Sequence, residues 1–220
     1  MIESLGKRLR LVMSGPAEAP PAVDAAAPPT LPPLVEFIAY QEDCIVAGEV
    51  RLDADRLSDL LNHHEEFQLV NVRVEDLAGE RAHLVNEVVV ARDELLLVHA
   101  IGPRGERSRR VRTRQHPLAL KVGPYEVRGY LHALPGVDPI MSFRHRLPMV
   151  PLTDASIEYD DGSSRHGRQL ATVLVNRQLI DWVVEAMDDE PEIRELPVSP
   201  KKGRLVKDFT PYVTAGPTAE

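Results

Sequence analysis

The densest cluster of side chains able to do chemistry is His63, His64, Glu65 and Glu66. Imidazole with carboxylate would suit a borderline or hard divalent metal. Consecutive residues do not turn readily toward one ion, however, and neither an H-E-x-x-H pattern nor a distal ligand accompanies them. The expected role is a solvated loop, with no metal. Ser58 precedes Asp59, but no dedicated histidine base is identifiable for a nucleophile there. Thr153-Asp154 before Ala155 suggests local bonding of side chain to backbone in a strand. Asp160, Asp161 and Gly162 read as a hairpin turn. The stretch GPRGERS, residues 102–108, lacks the phosphate-loop spacing, and no G-x-G-x-x-G follows a strand. Cys44 is the single cysteine, which excludes an internal disulfide framework and a cysteine-rich zinc site. Its apolar surroundings predict a buried small hydrophobe. No catalytic residue, cofactor or metal site is expected; the chain reads as non-catalytic.

Charge points the same way. The 220 residues hold 26 Lys+Arg against 34 Asp+Glu, a net charge of −8. Residues 34–100 carry −10 and residues 101–122 carry +6. An acidic chain repels phosphate backbones, so general nucleic-acid binding is disfavoured. The exception is the run Arg104, Arg107, Arg109, Arg110, Arg112 and Arg114. It is either a solvated connector or a contact for an acidic surface, such as the first module of a neighbouring subunit.

Three kinds of element could position these groups. Residues 1–14 place Ile2, Leu5, Leu9 and Val12 on one helical stripe. So short an amphipathic helix needs something to dock on. A protein groove is the expected partner, with peripheral membrane contact as the alternative. Residues 15–33, rich in Pro and Ala, form a semi-extended tether. From Leu34 the pattern turns to short β-type runs: LVEFIAY, CIVAGEVRL, FQLVNVRVEDL, AHLVNEVVV and ELLLVHA. Between the second and third, DADRLSDLLNHHEE predicts a helical turn that Asp53 or Asp55 can cap, with Leu57, Leu60 and Leu61 on one face. The second half repeats the order with HPLALKV, YEVRGYLHAL, VDPIMSFRHR, MVPLTDASIEY, RQLATVLV and QLIDWVVEA.

Residues repeat as well as patterns. CIVAGEVRL matches YEVRGYLHA about Gly48 and Gly129, and EEFQLVNVRVED corresponds to RLPMVPLTDASIEY. VVVARDELLLV, residues 88–98, matches VLVNRQLIDWV, residues 173–183, so that Arg92 and Arg177 coincide in a tight corner between strands. The expected fold is therefore mainly β: two duplicated five-stranded barrel modules, each with a short helical insertion. Closure would remove the exposed edges of so few strands. The expected boundaries are module 1 at 34–100, a basic connector at 101–116, module 2 at 117–186 and a flexible tail at 187–220.

The order resembles the Sm-like and wider SH3-like small barrels over roughly residues 34–186, through the glycine-bearing second strand and the short turn before the last strand. Where Sm proteins carry Arg-Gly in that turn, this chain has Arg92-Asp93 and Arg177-Gln178. The stretch RLSDLLN, residues 56–62, together with PLTDA, residues 151–155, is similar to a layout in bacterial proteins to which no activity is attached. The resemblance implies a small-barrel fold and, as one functional alternative, RNA binding through the arginine run.

The expectation is a cytoplasmic assembly or scaffold protein, since no run nears the roughly 18 apolar residues of a membrane helix. It would form homo-oligomers through its β modules and recruit a protein through Ile2, Leu5, Leu9 and Val12. The alternatives are an Sm-like RNA binder and an accessory scaffold subunit of a larger redox enzyme complex.

Overall fold

Apolar residues at alternate positions bury one face of Tyr125–Ala133 and much of Glu66–Asp76 and Met149–Asp160, while Cys44–Val46 and Val173–Asn176 are buried on both faces. The computed structural model describes residues 31–103, 105, 108 and 111–186. Ten strands arise in chain order: β1 Leu34–Tyr40, β2 Cys44–Arg51, β3 Glu66–Asp76, β4 Ala82–Ala91, β5 Leu97–His99, β6 Arg114–Val122, β7 Tyr125–Ala133, β8 Met149–Asp160, β9 Arg165–Asn176 and β10 Trp182–Glu185. Helix α1 is Leu57–His63 and α2 is Pro139–Arg144. Single 3-10 turns at Arg92–Glu94 and Arg177–Leu179 lead into β5 and β10.

All ladders are antiparallel and belong to one sheet, in the order β10-β6-β7-β8-β9-β5-β1-β2-β3-β4. Strands β1–β5 and β6–β10 thus pair in the same internal order. The expectation of two separately closed barrels meets a continuous sheet instead. Among the described residues no ladder joins β4 to β5 or β9 to β10, and β5 pairs with β9 across the two halves.

In β3 the buried residues are Phe67 and Leu69, then Val72 and Val74. The period slips by one residue between Leu69 and Val72. The β2–β3 register shifts there too, between Ala47 and Glu49. The extra residue is a β-bulge, and Asn71 adopts φ 54° within it. In β8 the same slip separates Leu152 from Ala155, with Asp154 at φ 48°. Asn and Asp tolerate left-handed backbone better than other non-glycine residues. Gly48 and Gly129 stand opposite these bulges. A Cβ on Gly48 would lie 3.0 Å from the Val70 carbonyl oxygen, and one on Gly129 3.2 Å from that of Thr153. Close approach of the bulged strand is what requires glycine here.

The predicted strand ends hold within a few residues, except for the last strand of each half. The runs expected to begin at Glu94 and Gln178 start with 3-10 turns, leaving β5 and β10 short. Helix α1 buries Leu57, Leu60 and Leu61 as expected, but its N-cap is Arg56, with no side-chain capping bond. Neither Asp53 nor Asp55 fills that role; burial of the three leucines holds so short a helix. Helix α2 has both start signals, Asp138 accepting from the Met141 N–H at 2.7 Å and proline at the first turn.

Two hydrophobic cores result. One gathers Phe37, Val46, Leu61, Phe67, Val74 and Val98 with their neighbours. The other gathers Leu118, Tyr125, Leu131, Phe143, Ile157 and Val175 with theirs.

Candidate functional site

The joint between the halves has a definite construction. In the β5–β9 ladder Leu97 faces Val175, Val98 faces Leu174 and His99 faces Val173. Backbone bonds from the Asn176 N–H to the Leu96 carbonyl (3.0 Å) and from the Ala100 N–H to the Thr172 carbonyl (3.1 Å) flank these pairs. Side chains on opposite faces then enter opposite cores. Tyr40, Ile45, Leu96 and Leu97 join the second core, while Met149 and Leu174 join the first.

Polar groups seal the same joint. The Asn62 amide donates to the Met149 carbonyl at 3.1 Å and accepts from the Met149 N–H at 2.9 Å, imitating a strand. Buried Asn176 donates to the Arg92 carbonyl at 3.1 Å, and the Tyr125 hydroxyl donates to the Gln41 carbonyl at 2.7 Å. Burial raises the Tyr125 pKa, so the hydroxyl stays a donor. Tyr40, Tyr125 and Tyr159 meet edge to face, and His166 stacks on Tyr159 with centroids 5.0 Å apart.

Among the described residues, β4 and β10 each pair on one side only. On β4, Val88 and Val90 are buried while Leu84 is exposed. On β10, Trp182 is 44% exposed and Val184 50%. Beside β10 a cleft of about 170 Å³ is lined by Phe143, Arg144, Arg177, Ile180, Asp181, Trp182 and Val183. A second, of about 160 Å³, lies against β2 and β3 with Val50, Asp53, Leu60, His64 and Phe67 in its lining.

The groups singled out for chemistry fall apart on this scaffold. His64 faces Asp53 at 3.7 Å, and among the described residues no group of three or more His, Cys, Asp or Glu is placed to hold a metal ion. The Ser58 hydroxyl lies 3.5 Å from Asp59, which pairs with Arg56 at 3.4 Å. Thr153 differs from the expected local bonding. Its hydroxyl reaches across to β7, to His132 Nε2 at 2.9 Å and the Tyr130 carbonyl at 3.5 Å, because the adjacent bulge turns it toward that strand. Cys44 is buried, its thiol donating to Gln41 Oε1 at 3.2 Å, and burial pushes its pKa up to about 12.

The β8–β9 turn holds an arrangement the sequence did not reveal. The Asp161 carboxylate accepts from the Ser163 N–H and hydroxyl and the Ser164 N–H, each at 2.7 Å, and pairs with His166 Nε2 at 2.6 Å. Those bonds, His166 first, hold Asp161 well below the usual carboxylate range. A Ser-His-Asp relay needs the imidazole between hydroxyl and carboxylate. Here the carboxylate lies in the middle, so the cluster braces a turn. The D-G-S-S pattern signalled the turn, but His166 joins it only through the β9 register.

Of the arginine run, Arg114 opens β6 and Arg112 lies just before it, both exposed, while Arg104, Arg107, Arg109 and Arg110 lie outside the described residues. So do Ile2, Leu5, Leu9 and Val12. Among the described residues no helix is long and apolar enough to cross a membrane. No protein-family model, curated protein or solved structure matches the chain.

Proposed function

We propose that this chain is a non-catalytic assembly protein. It consists of two duplicated β modules that associate with further copies, while the stripe of Ile2, Leu5, Leu9 and Val12 recruits a protein partner. The equal strand order of the halves, the paired glycines opposite left-handed Asn71 and Asp154, and the paired 3-10 turns support duplication. One observation carries the functional reading. The modules meet by pairing β5 with β9, while β10 and β4 remain at the two ends of the sheet. A contact whose two sides are both duplicated can be made again between chains, head to tail, closing rings or extending filaments.

Light scattering at tens of micromolar, at low and moderate salt, tests self-association; a monomer throughout overturns it. A pull-down with Leu5→Asp/Leu9→Asp tests recruitment, and the double variant is expected to lose the partner while keeping its melting temperature. Exposed Arg112 and Arg114 favour RNA binding as the second reading. It requires a mobility shift on a random RNA pool that weakens steeply with salt.

A further inference from the structure

We infer that β10 of one copy pairs antiparallel with β4 of the next, with Trp182 opposite Val90, Val183 opposite Val89 and Val184 opposite Val88. This rests on the self-association reading and gives it a surface and a register. The register is that of the internal joint, carried across the repeat. Leu97, Val98 and His99 of β5 correspond to Trp182, Val183 and Val184, since both triplets follow a 3-10 turn and face the same positions on β1 and β6. Val173, Leu174 and Val175 correspond likewise to Val88, Val89 and Val90, which occupy equivalent places against β8 and β3.

Backbone hydrogen-bonding groups on both edges point the right way. In an antiparallel ladder, hydrogen-bonded and non-bonded pairs alternate. The Arg92 N–H donates to the Glu65 carbonyl, so Phe67–Val90 and Leu69–Val88 are the bonded pairs of β3–β4, and Val89 turns its N–H and C=O outward. The Ala186 N–H donates to the Pro117 carbonyl, so Val184 and Trp182 bond to β6, and Val183 turns outward. The outward residues of the two edges, Val89 and Val183, are those the register sets face to face. Leu174 and Val98 do the same inside the chain.

Chemistry makes the outer contact weaker than the inner one. The apolar anchors Tyr40, Ile45 and Leu96 of the internal joint correspond to Lys121, Glu126 and Asp181 at the outer edge. A surface that meets water in the free chain cannot be as apolar as one that never does. Where Ala100 meets Thr172, the outer contact sets Glu185 against Glu87, and like charges in opposed positions repel. Association is therefore reversible and held back by one defined carboxylate pair.

Trp182 is the only tryptophan and reports on the edge directly. The full chain is measured by sedimentation and tryptophan emission from nanomolar to tens of micromolar. Emission is expected to shift to the blue as mass rises. Val183→Pro and Val89→Pro each remove one outward N–H from an edge strand, where proline is tolerated. Each should weaken association about tenfold. Glu185→Gln should strengthen it, and far-UV circular dichroism checks that all three variants fold. Oxidising a mixture of Val184→Cys and Val88→Cys chains should give a cross-linked pair that neither chain forms alone, because this is a non-bonded pair, where side chains lie closest. Oligomers whose mass ignores these variants, with no mixed disulfide, would overturn the β10–β4 contact and leave self-association standing. A monomeric native chain overturns both. Emission already blue at nanomolar concentration and insensitive to dilution would place a segment of the same chain on β10, also overturning the inference.

Discussion

Replacing Asn62 by alanine tests how the two halves are held together. The Arg177 N–H donates to the Pro148 carbonyl, so the next pair along β8–β9, Met149–Asn176, is a non-bonded one. Met149 therefore turns its N–H and C=O away from β9, and Asn62 satisfies both, at 2.9 and 3.1 Å. Met149 is 1% exposed. Asn62→Ala leaves both groups without those partners, at about 1–3 kcal/mol for each buried orphan. Asn62 is only half-buried, so water reaches part of the gap, and the expected loss is about 2–4 kcal/mol in all. The assay is urea unfolding at fixed protein concentration, followed by circular dichroism, with an unchanged denaturant slope. Asn62→Asp supplies a control of opposite polarity. It keeps an acceptor for the Met149 N–H but sets a carboxylate oxygen against the Met149 carbonyl. Its loss should match that of alanine at neutral pH and shrink as acid protonates the carboxyl into a donor. A change below about 0.5 kcal/mol for Asn62→Ala, the level of an ordinary surface substitution, would refute the idea that this amide seals the joint.

Gly129→Ala forces a Cβ to 3.1 Å from the Ala155 Cβ and 3.2 Å from the Leu152 Cβ. These atoms cannot swing aside, so a loss of about 1–3 kcal/mol is expected; an unchanged or higher melting temperature in calorimetry counts against the close-approach argument. Cys44, buried and with its pKa pushed up to about 12, should react with a thiol reagent at pH 8 only as fast as the protein unfolds. Folding holds this thiol neutral, so its contribution to stability is complete below the ordinary thiol pKa and is lost as pH rises past it; a fast stoichiometric reaction without denaturant contradicts the buried site. Asp161 has the opposite sign. Its depressed pKa gives stability that is fully present above the ordinary carboxylate range and lost as pH falls below that range toward the depressed value. The gap in melting temperature between the native chain and Asp161→Asn should thus be wide at pH 7, begin to narrow only below about pH 4, and close well under that. A gap independent of pH would mean the turn does not depend on the charge.

Sequence by itself determined where the strands lie and that the halves follow one plan. Alternation in LVEFIAY or FQLVNVRVED reports burial of one face of a strand, a local property that survives without knowing the partner. Asp160 and Asp161 before Gly162 announced a turn because their bonds span only a few residues. The shared strand order was legible because equivalent positions in the two halves face equivalent surroundings. What tertiary structure alone decided is which strands meet. Whether five strands close on themselves or continue into their neighbours depends on the free energy of β5 against β9, summed over residues some 75 positions apart. No local pattern encodes that pairing. The bulges lay between the two levels: the phase slip from Leu69 to Val72 and from Leu152 to Ala155 was present in the letters. It gains meaning only once Gly48 and Gly129 lie opposite, where the backbones come too close for a side chain. Asn62 reads as an ordinary helix residue until β8 arrives beside it with two unpaired backbone groups, and then it is part of the joint.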